Sequence, residues 1–126
     1  MSDNKEYVSQ NLENGTINIS EEVIASIAAM AAQDVEGVYG LGGGAASELS
    51  KLTKKTSGRD VRVVISQEDE ISIDCYVVVL YGCSVVDVAK AVQEAITSTV
   101  ESTTGRKVRD VNVSVGGISL PRNTKK

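Results

Sequence analysis

Residues 71–82, Ile-Ser-Ile-Asp-Cys-Tyr-Val-Val-Val-Leu-Tyr-Gly, decide the fold of this chain. They form its longest β-like run and its most apolar one. Successive side chains of a strand point to opposite faces, so one face carries the apolar residues Ile71, Ile73, Cys75, Val77, Val79 and Tyr81. The other face begins polar and ends apolar, with Ser72, Asp74, Tyr76, Val78 and Leu80. We interpret the stretch as the central strand of one sheet, because it needs neighbours on both faces near its end.

The composition is that of a single globular domain. The chain has 126 residues, of which 41% are hydrophobic and 24% charged, enough for one core. It contains neither Phe nor Trp, so the core must be aliphatic. A net charge of −4 and a pI of about 4.8 disfavour nucleic acid and anionic membrane surfaces as partners. No apolar run approaches the roughly 20 residues that span a bilayer, and the polar N-terminus does not resemble a signal peptide. These features predict a cytoplasmic protein that does not insert directly into the membrane.

The cysteine and histidine content excludes several kinds of catalytic site. There is no histidine, so Cys–His and Ser–His nucleophilic pairs are excluded, and histidine metal sites with them. The two cysteines, Cys75 and Cys83, match no zinc or redox spacing. Cys75 is expected to act as a small core hydrophobe. Cys83 is read as a plain turn residue in preference to a thiol activated by a helix N-terminus. We assign no catalytic, cofactor-binding or metal-binding residue and predict that the protein is not an enzyme.

The chain order around the central strand is β-α-β-β-α-β. The pattern predicts a strand over 15–20, a helix that begins at the N-cap Ser20 and ends near Val35, and a strand over 61–65. It then predicts a hairpin turn at 67–70, a helix from the N-cap Ser84 to Gly105, and a last strand over 111–115 closed by Gly116-Gly117.

This order predicts an α+β fold, a two-layer sandwich in which two helices cover one face of a small antiparallel or mixed sheet. The first and third strands would lie in the middle of four, or the first would be absent from a three-stranded core. We divide the chain into a flexible tail (1–13), a single domain (14–119) that includes a Gly- and Lys-rich crossover (36–60), and a basic tail (120–126). Within the crossover, residues 45–55 suit a short amphipathic helix with a basic face.

The uncovered face of the sheet is the candidate interaction surface. The pattern places these residues on it: Asn18, Arg62, Val64, Ser66, Asp74, Tyr76, Val78, Leu80, Asn112 and Ser114. Four of them are predicted to form one apolar patch, namely Val64, Tyr76, Val78 and Leu80. Such patches mark association sites, although scattered surface apolars need no such explanation. The patch predicts self-association or a protein partner.

Two glycine motifs have alternative interpretations. Gly40-Leu-Gly-Gly-Gly44 follows a helix and lacks the Gly-Lys-Ser/Thr ending of a phosphate loop, so a linker is favoured. Gly37-Val-Tyr-Gly40 matches the Gly-x-x-Gly of KH domains, which clamps a nucleic-acid backbone. Its flank, Asp34-Val-Glu36, has the wrong charge for that role, so an RNA-binding module is the alternative function. The acidic turn 68–70 is read as solvated in preference to a calcium contact.

Several segments together carry a family resemblance. They are Gly15-Thr-Ile-Asn-Ile-Ser-Glu-Glu-Val-Ile-Ala25, Val35-Glu-Gly-Val38, Ile73-Asp-Cys-Tyr-Val-Val-Val-Leu-Tyr-Gly82, Val92-Gln-Glu94, Thr104-Gly105 and Val111-Asn-Val113 with Gly117-Ile118. In order and spacing they resemble the bacterial alkaline shock proteins of the Gls-type envelope stress response, over about residues 13 to 119.

The resemblance implies a non-enzymatic cytoplasmic protein of Gram-positive-type bacteria that acts in cell-envelope homeostasis or stress response. It also implies self-association and attachment to the membrane through a separate, membrane-anchored partner. It carries over no catalytic residues. A subunit that regulates an enzyme is a further possibility that the residues do not separate from these roles.

Overall fold

The computed structural model describes residues 5–42 and 60–120. Within them the elements are β1 (Tyr7–Leu12), β2 (Gly15–Ser20), α1 (Glu21–Gln33), β3 (Val38–Leu41), β4 (Val61–Ile65), β5 (Ile71–Leu80), α2 (Val85–Thr104) and β6 (Val108–Ser119). The α+β class and the second half of the predicted order are confirmed. The first half contains two strands, β1 and β3, that the sequence did not predict.

Strand β5 is the central strand, as its pattern predicts. One of its faces is fully buried at Ile71, Ile73, Cys75, Val77 and Val79. β6 runs parallel to β5 along one edge, from the pair Ile71–Val108 to the pair Leu80–Ser119. β3 and β4 are both antiparallel to β5 and share the other edge: β4 pairs with residues 71–75 and β3 with residues 77–79. The sheet is therefore mixed.

The two helices cover the buried face together. The hydroxyl of Ser20 accepts a hydrogen bond from the backbone N–H of Val23 at 3.2 Å and so caps α1, which packs on β3, β4 and α2. α2 begins after its N-cap Ser84 and packs on β6. Its C-cap Gly105 has the left-handed φ of 74° that glycine adopts without cost. α1 ends at Gln33, two residues before its predicted end.

The first predicted strand does not lie in the central sheet. β2 instead pairs with β1 as an antiparallel hairpin. The predicted tail 1–13 is thus wrong over β1, whose Val8 is fully buried in the core. Backbone and side chains attach this hairpin to the sheet. The N–H of Lys5 donates to the carbonyl of Ile65 at 2.8 Å, and the Lys5 ammonium pairs with the Asp69 carboxylate. The Arg106 guanidinium, which also pairs with Asp69, donates to the carbonyl of Ser9 in β1.

Two further boundaries differ from the sequence prediction. The crossover 36–60 contains β3. This strand forms because its backbone pairs with the part of β5 that lies beyond the end of β4. β6 passes through the glycines that were expected to end it, because a bulge at Gly116 absorbs one residue between the pairs Val77–Val115 and Val78–Gly117. The predicted helix over 45–55 lies outside the described residues, as do residues 121–126 of the predicted basic tail.

The turn from α1 into β3 requires a glycine at one position. Gly37 has φ +100°, and a Cβ there would lie 2.7 Å from Cγ2 of Val88. Gly40, three residues on, has free space where a Cβ would stand. We predict that Gly37→Ala lowers the free energy of unfolding by about 2–4 kcal/mol, through the left-handed backbone and the overpacking against Val88.

The matched control is Gly40→Ala, which we expect to change the free energy of unfolding by less than about 0.5 kcal/mol. Urea titration of the two variants, followed by far-UV circular dichroism, measures both values. Equal stabilities would contradict the account of Gly37.

Candidate interaction face of the central sheet

The face of the sheet that the helices leave uncovered is organised in rows across its strands. On β5 its residues are Ser72, Asp74, Tyr76, Val78 and Leu80, all of them exposed or half-buried. The register sets Val64, Ser72 and Asp110 in the first row, and Arg62, Asp74 and Asn112 in the second. Tyr76 and Ser114 follow, then Gly40, Val78 and Gly117, and finally Leu80 and Ser119. The face is polar at the beginning of β5 and apolar at its end.

The apolar end consists of Tyr76, Val78 and Leu80, which project from alternate residues of one strand. They extend over about 13 Å at the rise of a strand. Tyr76 is 45% exposed and Leu80 40%. Val78 lies between two glycines, because Gly40 and Gly117 are its neighbours on the adjoining strands. A Cβ on Gly117 would come within 3.8 Å of the Val78 side chain. Val78 thus has no side chain on either flank, and Tyr76 and Leu80 have only the small side chains of Ser114 and Ser119 beside them on β6. The three residues therefore form a ridge.

Val64 does not belong to this ridge. It pairs with Ser72, four residues before Tyr76, which places it about 14 Å from Tyr76 by strand geometry. The row that contains Arg62 and Asp74 lies between them. The expected single patch is thus divided, because β4 pairs only with the first half of β5. Asn18 is likewise not on this face, since it lies in the β1–β2 hairpin and accepts a hydrogen bond from Ser9 at 2.7 Å.

The polar half of the face contains one defined side-chain contact. The amide of Asn112 donates to Oδ1 of Asp74 at 2.9 Å, and both groups are exposed. An amide cannot exchange a proton with a carboxylate as an acid–base partner would. The contact therefore fixes the orientation of the Asp74 side chain and forms no catalytic pair.

The two cysteines differ in their surroundings. Cys75 lies in the core with no exposed surface, and burial, together with the nearby Asp60 carboxylate, raises the pKa of its thiol to about 12. Its thiolate is thus scarce at neutral pH, and it is no nucleophile. Cys83 is exposed in the turn between β5 and α2, where its backbone N–H donates to the carbonyl of Leu80 at 3.3 Å.

The glycine and acidic motifs have structural roles in the described residues. Gly37 turns the chain into β3, and its carbonyl accepts the N–H of Leu80 at 2.8 Å. Asp69, in the predicted acidic turn, is engaged by Lys5 and Arg106. The chain as a whole carries a net charge of −4, which disfavours binding to phosphate backbones.

In residues 5–42 and 60–120, no group of three or more His, Cys, Asp or Glu side chains is arranged to hold a metal ion. A shallow groove of about 610 Å³ lies on α2, lined by Gln93, Glu94, Thr97, Ser98, Glu101 and Ser102. Its Gln93 and Glu101 are committed to backbone groups of β6. Neither described helix combines the length and the apolar character that crossing a bilayer requires.

These features define a small α+β domain with a half-apolar open sheet face. The chain belongs to the alkaline shock protein 23 family, described by a cell envelope-related function, whose model matches residues 9–120. The predicted resemblance is confirmed at this level, whereas the Gls-type assignment stays a prediction. The chain is similar to YqhY, an uncharacterized protein of Bacillus subtilis (strain 168), with 36% identity over 63 residues. That match covers 50% of this chain and 46% of YqhY, about half of each.

The fold is also similar to a solved structure, the copper form of MamM CTD. The TM-score is 0.50 at 20% sequence identity, and the match covers 83% of this chain and 93% of the other. At that identity the likeness concerns the arrangement of helices and strands alone.

The contrast between the two thiols gives a direct test of the core. At pH 8 we expect a thiol-specific reagent to label one cysteine per native chain, Cys83, and to label Cys75 only after unfolding. The reason is that Cys75 is both enclosed and protonated at that pH. Mass spectrometry of peptides from native and urea-unfolded protein measures the two labelling rates, and Cys83→Ser serves as the control. Rapid labelling of Cys75 in the native protein would show that the described core is wrong.

Proposed function

We propose that this protein is a non-enzymatic interaction protein in bacterial cell-envelope homeostasis or stress response. It works by binding a membrane-linked protein partner, itself, or both, through the open face of the central sheet. The observation that carries the proposal is the ridge of Tyr76, Val78 and Leu80, which is exposed on a sheet face that no described element covers. The family's cell envelope-related function supports the cellular setting.

The chemistry of the ridge suits a protein partner. Aromatic side chains are enriched in the centres of protein interfaces, where they add large contact area at low entropic cost. The four tyrosines are the only aromatic residues of the chain, and all four are 45–65% exposed, none being used to fill the core. The polar row of Arg62, Asp74 and Asn112 would then border the apolar contact, as polar rims border interface cores.

The charge of the chain favours an indirect route to the membrane. Its net charge of −4 opposes adsorption to an anionic lipid surface. A partner anchored in the membrane removes that difficulty, because the contact is then between proteins. In this proposal the protein is cytoplasmic and peripheral, held at the envelope by its partner.

The test places charges on the ridge. We predict that Tyr76→Glu combined with Leu80→Asp reduces recovery of a membrane-embedded partner at least tenfold, because burying an unpaired carboxylate costs more than the roughly 1.4 kcal/mol that a factor of ten represents. The measurement is quantitative mass spectrometry after cross-linking and affinity capture of the tagged chain in its native host, at physiological salt.

The matched control is Val64→Glu, which adds a charge to the same face but away from the ridge. We expect it to retain the partner, and circular dichroism shows whether each variant is folded. Recovery that the double variant leaves unchanged would contradict the proposal. Capture of RNA instead of protein, weakening steeply with salt, would contradict it in favour of the nucleic-acid alternative.

A further inference from the structure

The two halves of the outer edge of β6 differ in whether side chains bind their outward backbone groups. At the beginning of the strand, side chains of α2 occupy the backbone groups that point away from β5. Oε2 of Glu101 accepts the N–H of Val108 at 2.9 Å, and the Gln93 amide donates to the carbonyl of Val111 at 2.9 Å. Each contact satisfies a hydrogen-bonding group that a second strand would otherwise use, so this half of the edge is closed.

The second half of the edge is open. Backbone groups of alternate residues point to the same side of a strand, and the pairing with β5 is regular from Asn112 to Val115. Val113 and Val115 therefore present their N–H and C=O groups outward, as Val111 does. Within residues 5–42 and 60–120, β6 has no neighbour other than β5.

The side chains along the open half of the edge do not include the residues that usually prevent pairing with another strand. Residues 111–120 read Val-Asn-Val-Ser-Val-Gly-Gly-Ile-Ser-Leu, ten residues without a charge or a proline. Natural edges are usually protected by lysine, proline or a charge that points inward. Val113 and Val115 are only half-buried, and Ile118 is 43% exposed. Val86, two helical turns before Gln93 and on the same side of α2, is 62% exposed.

We propose that the open half of the β6 edge pairs antiparallel with the same edge of a second copy of this chain, so that the two sheets become one. This inference rests on the proposed function in one respect, that the protein acts by contact, and it gives self-association a surface separate from the ridge. The ridge is then left for the membrane-linked partner.

One register of the two antiparallel β6 strands gives the outward backbone groups of Val113 and Val115 hydrogen-bond partners. If the two-fold axis passes at Ser114, Val113 of each copy lies opposite Val115 of the other, and these residues exchange their backbone hydrogen bonds. A shift by two residues toward Val111 would require its carbonyl, which Gln93 already occupies. A shift the other way would bring the irregular step at Gly116 into the ladder. In the favoured register the pairs of facing valines are covered, and Asp110 faces the uncharged Ile118.

The favoured register is tested by a disulfide. Residues at a non-hydrogen-bonded antiparallel pair have Cα atoms about 4.5 Å apart, within disulfide range. In the full chain carrying Cys83→Ser, we expect Ser114→Cys to give a disulfide-linked dimer as the main species on mild oxidation, seen on a non-reducing gel. Ser119→Cys in the same background is the control, because two copies of residue 119 would lie about 33 Å apart. No dimer at position 114, or equal dimer at both positions, overturns the proposal.

A second experiment needs no cysteine. Val115→Pro removes an outward N–H without touching the pairing to β5, so we expect it to raise the dimer dissociation constant at least tenfold in sedimentation equilibrium. Val115→Thr keeps both the N–H and the shape, and we expect it to dimerise like the unaltered chain. If Val115→Pro does not fold, hydrogen exchange of the unaltered chain tests the edge pairing instead. The amides of Val113 and Val115 should gain protection as protein concentration rises, while that of Ser114, which bonds to β5, should not.

Different results would contradict the edge pairing and the role proposed for the ridge. A monomer at all concentrations, or protection independent of concentration, overturns the edge pairing. So does a dimer that Tyr76→Glu with Leu80→Asp dissociates and Val115→Pro leaves intact, although that result agrees with the proposed function. A dimer that Val115→Pro dissociates, in a chain that captures no partner through the ridge, supports the edge pairing and removes the role assigned to the ridge.

Discussion

One constraint underlies the structure: five alternate side chains of β5 must be kept entirely from water. They are Ile71, Ile73, Cys75, Val77 and Val79. Each buried aliphatic side chain contributes on the order of 1.5–3 kcal/mol, and no Phe or Trp is present to contribute more. Small residues on α1, such as Ala28 and Ala32, are fully buried and allow the helix to approach the sheet closely. The helices cover this face of β5, and within residues 5–42 and 60–120 no element covers the opposite face.

The sequence predicts well those elements whose pattern is local. The alternation of β5 and the capped, periodic α2 are found where they were expected. β1 was missed because its polar residues conceal one buried side chain, Val8, although Asn14-Gly15 beside two alternating stretches is a hairpin signal. β3 could not be predicted, since four residues become a strand only when an edge of β5 is available to them.

The prediction identified most residues of the candidate face, with Asn18 as an error, but it did not identify how they are grouped. Side-chain alternation placed Tyr76, Val78 and Leu80 together correctly, because they follow one another on a single strand. Val64 was misplaced because its position relative to Tyr76 depends on register, which the sequence does not specify here. For the same reason, the sequence does not show which half of the β6 edge is open. No local pattern indicates that Gln93 and Glu101 close one half of it.

The shared edge of β5 brings two distant parts of the chain together at one residue. Gly42 donates its N–H to the carbonyl of Tyr76 at 2.7 Å, and Tyr76 donates its own N–H to the carbonyl of Asp60 at 2.8 Å. The backbone of one residue therefore anchors both Gly42 and Asp60. A substitution that distorts the backbone of Tyr76 would loosen both attachments at once, whatever its effect on the side chain.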